Sequence, residues 1–415
     1  MWLDVAFYTV CVVFAGLTAF WSEFFGYRVW GAITLPGYLY GLALAVFGLW
    51  RIEVRGWWAD RRTPVWVIAG LGTIVPLVVL IITRARGVLW SEQPEVWVIE
   101  RSAVLFLHHG TPYTDLATLG RPPIPDDYTP YGPAMTVFGL PHALLGTSPL
   151  GDARIAFGLF AAVLAVCAWR IAGRPVVPVR ALQLAIAGPL TVLTVATAGD
   201  DVAVVALITL ALALLHARRP VACAVAITVA VSMKLTALPA LVVLAVAVAA
   251  IMGRRALGRF GAAVIALGAL LNVPVFLVDP GAFVEHVIRF PAGLGQAHSP
   301  AASPLPGNLI ARLGPAGHDV SLALLLAGAL AIAIWLLRRP PRTAADAALR
   351  IAVGLAGAII LAPATRWGYL VDPIVLAGVA IALRPISRSV SPSADEARPA
   401  DATELPARPP VARRG

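Results

Sequence analysis

Long apolar runs separated by short polar segments dominate the chain. The clearest runs cover residues 65–82, 203–215, 237–250, 262–278 and 321–337. An α-helix needs about twenty consecutive apolar residues to cross the hydrocarbon core of a bilayer. The pattern predicts an all-α polytopic membrane protein, organised as a bundle of about twelve transmembrane helices.

The composition supports a membrane protein and argues against nucleic acid as a partner. Hydrophobic residues make up 59% of the 415 residues, charged residues 13%, and the mean hydropathy is +0.83. A soluble domain carries about twice that charged share. The first twenty residues lack a basic region and a clean cleavage site, so they are predicted to remain as a first span. The net charge of +10 comes from arginines beside the apolar runs, where they act as topology signals.

Clusters of arginine fix the predicted topology, because basic residues near helix ends favour the cytoplasm. The clusters are Arg51, Arg55, Arg61, Arg62; Arg170, Arg174, Arg180; Arg218, Arg219; Arg254, Arg255, Arg259; Arg338, Arg339, Arg342; and Arg384, Arg388. Placing all of them inside puts both termini in the cytoplasm. It also puts two long loops outside, at 84–150 (the first loop) and 279–318 (the second loop).

Three regions are expected along the chain. Residues 1–63 hold two N-terminal spans, and residues 64–384 form the main membrane domain with both long loops. Residues 385–415 are rich in Pro, Ala, Ser and charge. Such a segment cannot bury enough apolar surface to fold, so it is predicted to be a disordered cytoplasmic tail.

The first loop opens with a predicted helix, "PEVWVIERSAVLFLHH", in which Pro94 suits the first turn. The helix is amphipathic and too polar to span, which favours a position along the membrane interface. Glu95 and Glu100 point about 140° apart at 100° per residue. They are candidate catalytic acids, or they simply solvate the surface of the helix and favour its N-terminus.

The loop continues with "DDYTPYGP". Asp126 and Asp127 are a metal pair, catalytic acids or a turn cap, and the cap is favoured for Asp126. The adjacent His108 and His109 diverge by about 100° on a helix, which makes them poor partners for one metal. No zinc, Walker or dinucleotide-binding pattern occurs in the sequence, so no bound metal and no cofactor are expected.

Ionisable residues at the predicted outer ends of other spans are further candidates. Asp200 and Asp201 begin a span, where they either stabilise a helix N-terminus or orient a substrate. Lys234 is the only lysine in the chain; it either extends to the interface or binds a phosphate. Arg366, in "LAPATRWGYLVDP", is an interfacial anchor or a phosphate ligand. The second loop, with Glu285, His286, Arg289 and His298, is turn-rich and suited to fold over a site.

These motifs together resemble the GT-C superfamily of polyprenol-phosphate-sugar-dependent glycosyltransferases. Within it, the chain is most similar to glycosyltransferase family 87, whose actinobacterial members include α-mannosyltransferases. In that family an Asp precedes a Gly-x-x-Tyr element by about fifteen residues. Here Glu95 precedes Gly110 of "GTPY" by fifteen residues, and "GDDVAVVAL", "SMKLTALP" and "ATRWGYLVDP" follow in the same order. The departures are Glu in place of Asp and two additional N-terminal spans.

The resemblance implies transfer of a sugar, with mannose expected and a pentose as the alternative, from a polyprenyl-phosphate carrier to a lipid or cell-envelope glycan. The transfer takes place at the extracytoplasmic face of the cell membrane. Glu95 is the expected base, with Asp127 and Glu100 in reserve, and the reaction inverts the sugar configuration. The residues expected to bind substrate are Lys234, Arg366, Arg289, His286, Tyr113, Tyr128, Tyr131, Asp201 and Tyr369.

Two other functions fit the same sequence. One is a transporter or flippase of a lipid-linked or small substrate, although no internal repeat is apparent and the polar residues cluster on one face. The other is a non-catalytic assembly subunit with the same fold, which the Glu at the position of the family's Asp keeps open.

Overall fold

The computed structural model describes residues 1–50, 56, 59–297 and 299–384. These residues form α-helices with short 3-10 and π segments between them. No β-strand occurs within these ranges, where one isolated parallel bridge joins Ala302 to Thr365. The predicted tail at 385–415, His298 and the topology residues Arg51, Arg55 and Arg388 lie outside the described residues.

The helices follow one another with short connections. In chain order they are α1 (Trp2–Trp21), α2 (Phe25–Leu49), α3 (Thr63–Ile68), α4 (Val75–Ala85), α5 (Pro94–His109), α6 (Leu140–Leu145), α7 (Ala153–Ile171), α8 (Val179–Ala185), α9 (Pro189–Thr197), α10 (Asp200–His216), α11 (Pro220–Met233), α12 (Leu238–Met252), α13 (Arg254–Val278), α14 (Pro280–Phe283), α15 (Pro306–Ala311), α16 (Pro315–Arg338), α17 (Ala344–Leu361) and α18 (Val371–Ala382). A π segment, Ala69–Ile74, joins α3 to α4.

Nine helical stretches among the described residues are long and apolar enough to cross a membrane. Helices α10, α11 and α18 are shorter, and fourteen of the seventeen residues of α10 are buried. The five apolar runs of the sequence correspond to α3–α4, α10, α12, α13 and α16. The prediction of an all-α polytopic membrane protein is confirmed.

The predicted outer segments gather at one end of the bundle, here called the Glu95 end. Backbone hydrogen bonds join Gln93 N to Thr197 O (2.9 Å) and Gly132 N to Met233 O (2.9 Å) at this end. At the other end, Arg61 and Arg180 both approach the buried Asp4, at 2.7 and 3.2 Å. The two ends therefore separate as the arginine pattern predicts, and the compartment that each faces stays a prediction.

Helix α10 runs through the centre and packs against α7, α11, α17 and α18. Its buried surface is nearly continuous, which suits a helix enclosed by other helices rather than by lipid. Because α10 begins at Asp200, the central helix brings two carboxylates to the middle of the Glu95 end.

Candidate active site

The first wall of the candidate site is the N-terminus of α5. Pro94 occupies the first turn, as predicted, and Gly110 closes the helix with φ +72° in the left-handed region. Val96, Ile99 and neighbouring apolar side chains are buried, so α5 is packed into the protein along one side. This packing fixes the position of Glu95, which lies in the first turn of α5.

Glu95 forms an ion pair with Arg366, which lies in the turn between α17 and α18. The guanidinium Nη1 donates to Glu95 Oε1, while Glu95 Oε2 is buried and has no hydrogen-bond partner among the described residues. Both side chains keep some exposure, 21% for Glu95 and 31% for Arg366. A carboxylate with one oxygen held and the other unpaired is suited to accept a proton or a hydroxyl.

Lys234 forms the second part of the site. It follows the last residue of α11, and its Nζ donates to Asp200 Oδ2 at 2.9 Å and to Asp201 Oδ1. The Tyr131 hydroxyl donates to the same Asp200 Oδ2 at 3.2 Å. The Nζ also lies over the rings of Tyr131 and Tyr369, 5.6 and 5.3 Å from their centroids. The lysine predicted at an interface is therefore buried and paired, not extended into solvent.

Asp372 is a member of this group that the sequence analysis did not select. It lies in the first turn of α18 and is 5% exposed, and within the part of the chain that the structure describes its Oδ1 has no hydrogen-bond partner. Asp200, Asp201 and Lys234 are its electrostatic neighbours. The only signal in the sequence was an acid at the start of an apolar helix, which a helix N-terminus already explains.

The group contains more negative than positive charge. Four carboxylates (Glu95, Asp200, Asp201, Asp372) surround two cations (Lys234, Arg366), and electrostatic interactions link the Glu95–Arg366 pair to the others through Tyr131 and Tyr369. Buried charge without compensation is costly, so each cation stabilises the carboxylates around it. Within the described residues, no three His, Cys, Asp or Glu side chains are grouped so as to hold a metal.

Gly132 fixes the first loop against the end of α11. A Cβ at this position would lie 2.3 Å from Ser232 O, closer than two such atoms can approach. The absence of a side chain lets Gly132 N bond to Met233 O, one residue before Lys234. The contact therefore sets the distance between Tyr131 and the lysine.

We expect Gly132→Ala to destabilise the protein by about 1–3 kcal/mol, the usual cost of forcing an extra methyl into a packed position. The loop must move away from α11, and Tyr131 must move with it. Thermal unfolding of the purified variant measures the loss. Gly357→Ala in α17 is the matched control, because a Cβ there meets no atom within 4 Å; equal stability of Gly132→Ala and wild type would contradict the packing argument.

Glu100 lies in a separate ion network on the other side of α5, as its 140° offset from Glu95 predicts. Its Oε1 accepts from Arg84 Nη1 (2.8 Å) and Ala153 N (3.0 Å), and its Oε2 accepts from Arg84 Nη2 (2.6 Å). Arg84 also binds Asp152 (2.9 Å). Burial raises the pKa of Asp152, but hydrogen bonds from Arg154 and Arg84 outweigh it and hold the pKa below its ordinary value. The network joins α4, α5 and α7.

Asp127 is held within the first loop. Its Oδ2 accepts from Ile124 N at 2.8 Å. The Arg121 guanidinium donates to both carboxylate oxygens of Asp127, at 2.7 and 2.8 Å. The Arg121 guanidinium holds the pKa of Asp127 below its ordinary value. The turn cap that the sequence favoured for Asp126 was wrong by one residue: Asp127 supplies it, and Asp126 contributes a backbone carbonyl to Arg101.

His286, in the second loop, joins the two long loops. It is fully buried; its Nδ1 accepts from Thr129 N (2.9 Å), and its Nε2 therefore donates to Thr114 O (2.9 Å). Its ring stacks on Tyr113 at 5.4 Å. Burial lowers the pKa of His286 from 6.5 to about 4, so the ring is neutral at pH 7, as both bonds require.

This pKa gives a pH dependence of stability. Between pH 6.5 and about 4, His286 binds a proton in the unfolded chain but stays neutral in the folded protein. The free energy of unfolding therefore falls as the pH falls through this window. The total loss amounts to about 3 kcal/mol, at about 1.4 kcal/mol per pKa unit. We expect His286→Gln, which keeps a donor and an acceptor but does not titrate, to reduce the loss. Unfolding midpoints between pH 4 and 7 test this, and parallel curves for the two proteins would contradict it.

The remaining candidates lie around His286. Tyr113 donates to Tyr131 O at 3.1 Å, and Tyr128 donates to Glu285 Oε1 at 3.2 Å. Arg289 pairs with Glu285 at 3.0 Å and is 56% exposed. The site residues thus divide between the group around Glu95 and Lys234, which includes Arg366, Tyr131, Asp201 and Tyr369, and the loop contact formed by Tyr113, Tyr128, His286 and Arg289.

Comparison with known proteins places the chain in a family. The model of glycosyltransferase family 87 matches residues 128–363. Among solved structures, ArnT from Cupriavidus metallidurans bound to undecaprenyl phosphate is similar at 19% sequence identity with a TM-score of 0.45; the similarity covers 74% of this chain and 59% of that chain. No curated protein matches the chain. The matched interval contains Asp200, Asp201 and Lys234, whereas Glu95 and Arg366 lie outside it.

Proposed function

The chain belongs to glycosyltransferase family 87. On that premise we propose that it transfers a sugar from a polyprenyl-phosphate carrier to a lipid or cell-envelope glycan, and that the sugar is mannose. The observation that carries the proposal is the Glu95–Arg366 ion pair beside the buried Lys234 group. It combines a carboxylate that can act as a base with a cation that can bind a phosphate. The long apolar carrier accounts for an enzyme built into the bilayer.

In the proposed reaction, the hydroxyl oxygen of the acceptor attacks the anomeric carbon of the sugar. Glu95 Oε2 takes the proton from this hydroxyl as the attack proceeds. The new glycosidic bond forms while the bond from the anomeric carbon to the phosphate oxygen breaks. Polyprenyl phosphate leaves with both bonding electrons, and the single displacement inverts the configuration. The unpaired and buried state of Oε2 supports this role.

Arg366 links donor binding to the activity of the base. In the structure its guanidinium Nη1 donates to Glu95 Oε1. The donor phosphate competes for the same guanidinium, for which its oxygens are well matched. Arg366 then stabilises the charge that grows on the leaving phosphate, and Glu95 becomes free to accept a proton.

We assign the other residues by their contacts. Asp200 and Asp201 compensate the charge of Lys234 and fix its position. In the proposal, Lys234 contributes to binding of the substrate phosphate from this fixed position. Tyr131 and Tyr369 form the walls of that group. Asp127 and Glu100, the reserve bases, have their oxygens occupied by arginine, which favours structural roles.

The arginine pattern and the polarity of the two long loops support a site on the extracytoplasmic side of the cell membrane, with both termini in the cytoplasm. The donor chain then lies in the outer leaflet. The acceptor approaches from water through the first and second loops.

The test uses membranes from cells with and without the protein, supplied with radiolabelled polyprenyl-phosphate-mannose. Protein-dependent label in a new lipid or polymer is the expected result. Label that passes only from a polyprenyl-phosphate-pentose changes the sugar and keeps the reaction. If neither donor is consumed, the transferase proposal is wrong, and a transporter or an assembly subunit takes its place.

A further inference from the structure

A cavity of about 260 Å³ lies between the first and second loops. Its wall includes Thr114, Asp115, Asp279, Gly281, Glu285 and Gln296. One water needs at least about 10–15 Å³ of such space, so the cavity is large enough for several waters and has room for one sugar ring. It is separate from the Glu95–Lys234 group, whose members do not line it.

The wall presents polar groups that a ligand can use. The Thr114 hydroxyl oxygen is buried and has no hydrogen-bond partner among the residues that the structure describes. Asp115 and Asp279 each use Oδ1 to cap a short helical segment, through Ala117 N (3.0 Å) and Ala282 N (2.9 Å). One oxygen of each carboxylate is therefore fixed by the cap, and the second oxygen can accept another hydrogen bond.

The cavity is also connected to the candidate active site. His286, on its wall, stacks on Tyr113, whose hydroxyl donates to Tyr131 O at 3.1 Å. The Tyr131 hydroxyl in turn donates to Asp200 of the Lys234 group. One ring contact and two hydrogen bonds thus connect the wall of the cavity to Asp200 in the candidate active site.

The chemistry of the wall selects the class of ligand. An apolar occupant covers the second carboxylate oxygens of Asp115 and Asp279 and supplies no donor to them, which is costly. An anion faces Asp115, Asp279 and Glu285 together. A sugar supplies several neutral hydroxyls that donate to carboxylates and also accept from a hydroxyl or an amide.

We propose that this cavity binds one sugar ring of the acceptor. Binding of a sugar follows from the cavity itself, whereas its role as acceptor rests on the proposed transferase function. Bound there, the acceptor glycan is held by both loops and extends a hydroxyl towards Glu95. The second loop then acts as part of the acceptor site, and His286 positions it.

The test measures sugar binding directly, by saturation-transfer NMR on the full-length purified protein with methyl glycosides of mannose, arabinofuranose and glucose. Gly281→Leu fills the cavity, because a Cβ there meets only Asp279 Oδ1, at 3.5 Å. Ala292→Leu adds similar bulk to the same loop at an exposed position that does not line the cavity. Asp279→Asn removes one charge and keeps the cap, since Asn caps as well as Asp.

At least one glycoside is expected to give a saturation signal with wild type and with Ala292→Leu. That signal falls at least fivefold with Gly281→Leu and with Asp279→Asn, and the acceptor KM rises at least tenfold while the donor KM stays constant. Absence of any sugar signal, or an unchanged signal in both cavity variants, overturns the proposal. A signal that depends on the cavity in a protein that transfers no sugar keeps the binding site and overturns the transferase function instead.

Discussion

Glu95→Gln is expected to lower the rate of sugar transfer by about 10²–10⁴-fold, the range attributed to a positioned general base. The amide retains the size of the side chain and a hydrogen bond to Arg366, but it cannot take a proton. Arg366 loses the carboxylate that competes with the donor phosphate, so the donor KM stays constant or falls. Initial rates at saturating donor, with KM measured for both substrates, test the prediction.

Two variants serve as controls for this result. Glu100→Gln makes the same change on the same helix, but within the Arg84 network; it lowers stability and leaves the rate per folded molecule close to that of wild type. Glu95→Asp keeps the carboxylate on a side chain shorter by one methylene and is expected to retain part of the activity. A fully active Glu95→Gln enzyme, or equal losses for Glu95→Gln and Glu100→Gln, contradicts the assignment of the base.

The features that the sequence predicted well depend on neighbouring residues. Apolar runs indicate helices because a buried or lipid-facing helix needs them along its whole length. Pro94 marks the start of α5 because proline suits a first turn, and Gly110 ends it because glycine accepts a positive φ. The separation of Glu95 from Glu100 follows from helix geometry alone.

Features that depend on distant partners could not be predicted in the same way. Glu95 and Arg366 are 271 residues apart, and each alone has an ordinary explanation at an interface. Asp372 begins an apolar helix, where an acid has an ordinary stabilising role. Only its distant neighbours Asp201 and Lys234 distinguish it from such an acid. The error between Asp126 and Asp127 has a different origin: Arg121 and Ile124 are close in sequence, but the conformation of the turn decides which of two adjacent carboxylates they reach.

Lys234 also depends on distant partners, and we expect it to contribute to stability as well as to substrate binding. Its ammonium is enclosed with Asp200 and Asp201, and both carboxylates are buried. Lys234→Met removes the cation and leaves buried negative charge uncompensated, for which the usual loss is about 3–5 kcal/mol. We expect a strongly lowered unfolding temperature and little purified protein; a variant as stable as wild type would show that the pair is not needed for folding.

A second substitution separates folding from function. Lys234→Met combined with Asp201→Asn removes one charge of each sign, so most of the stability should return. If Lys234 also contributes to the substrate phosphate, transfer stays roughly 10²–10³-fold below wild type, the range expected when one fixed electrostatic donor is removed. Asp201→Asn alone reports the cost of losing the acid. Recovery of wild-type transfer in the stable double variant would assign Lys234 a purely structural role and leave Arg366 as the cation that acts on the phosphate.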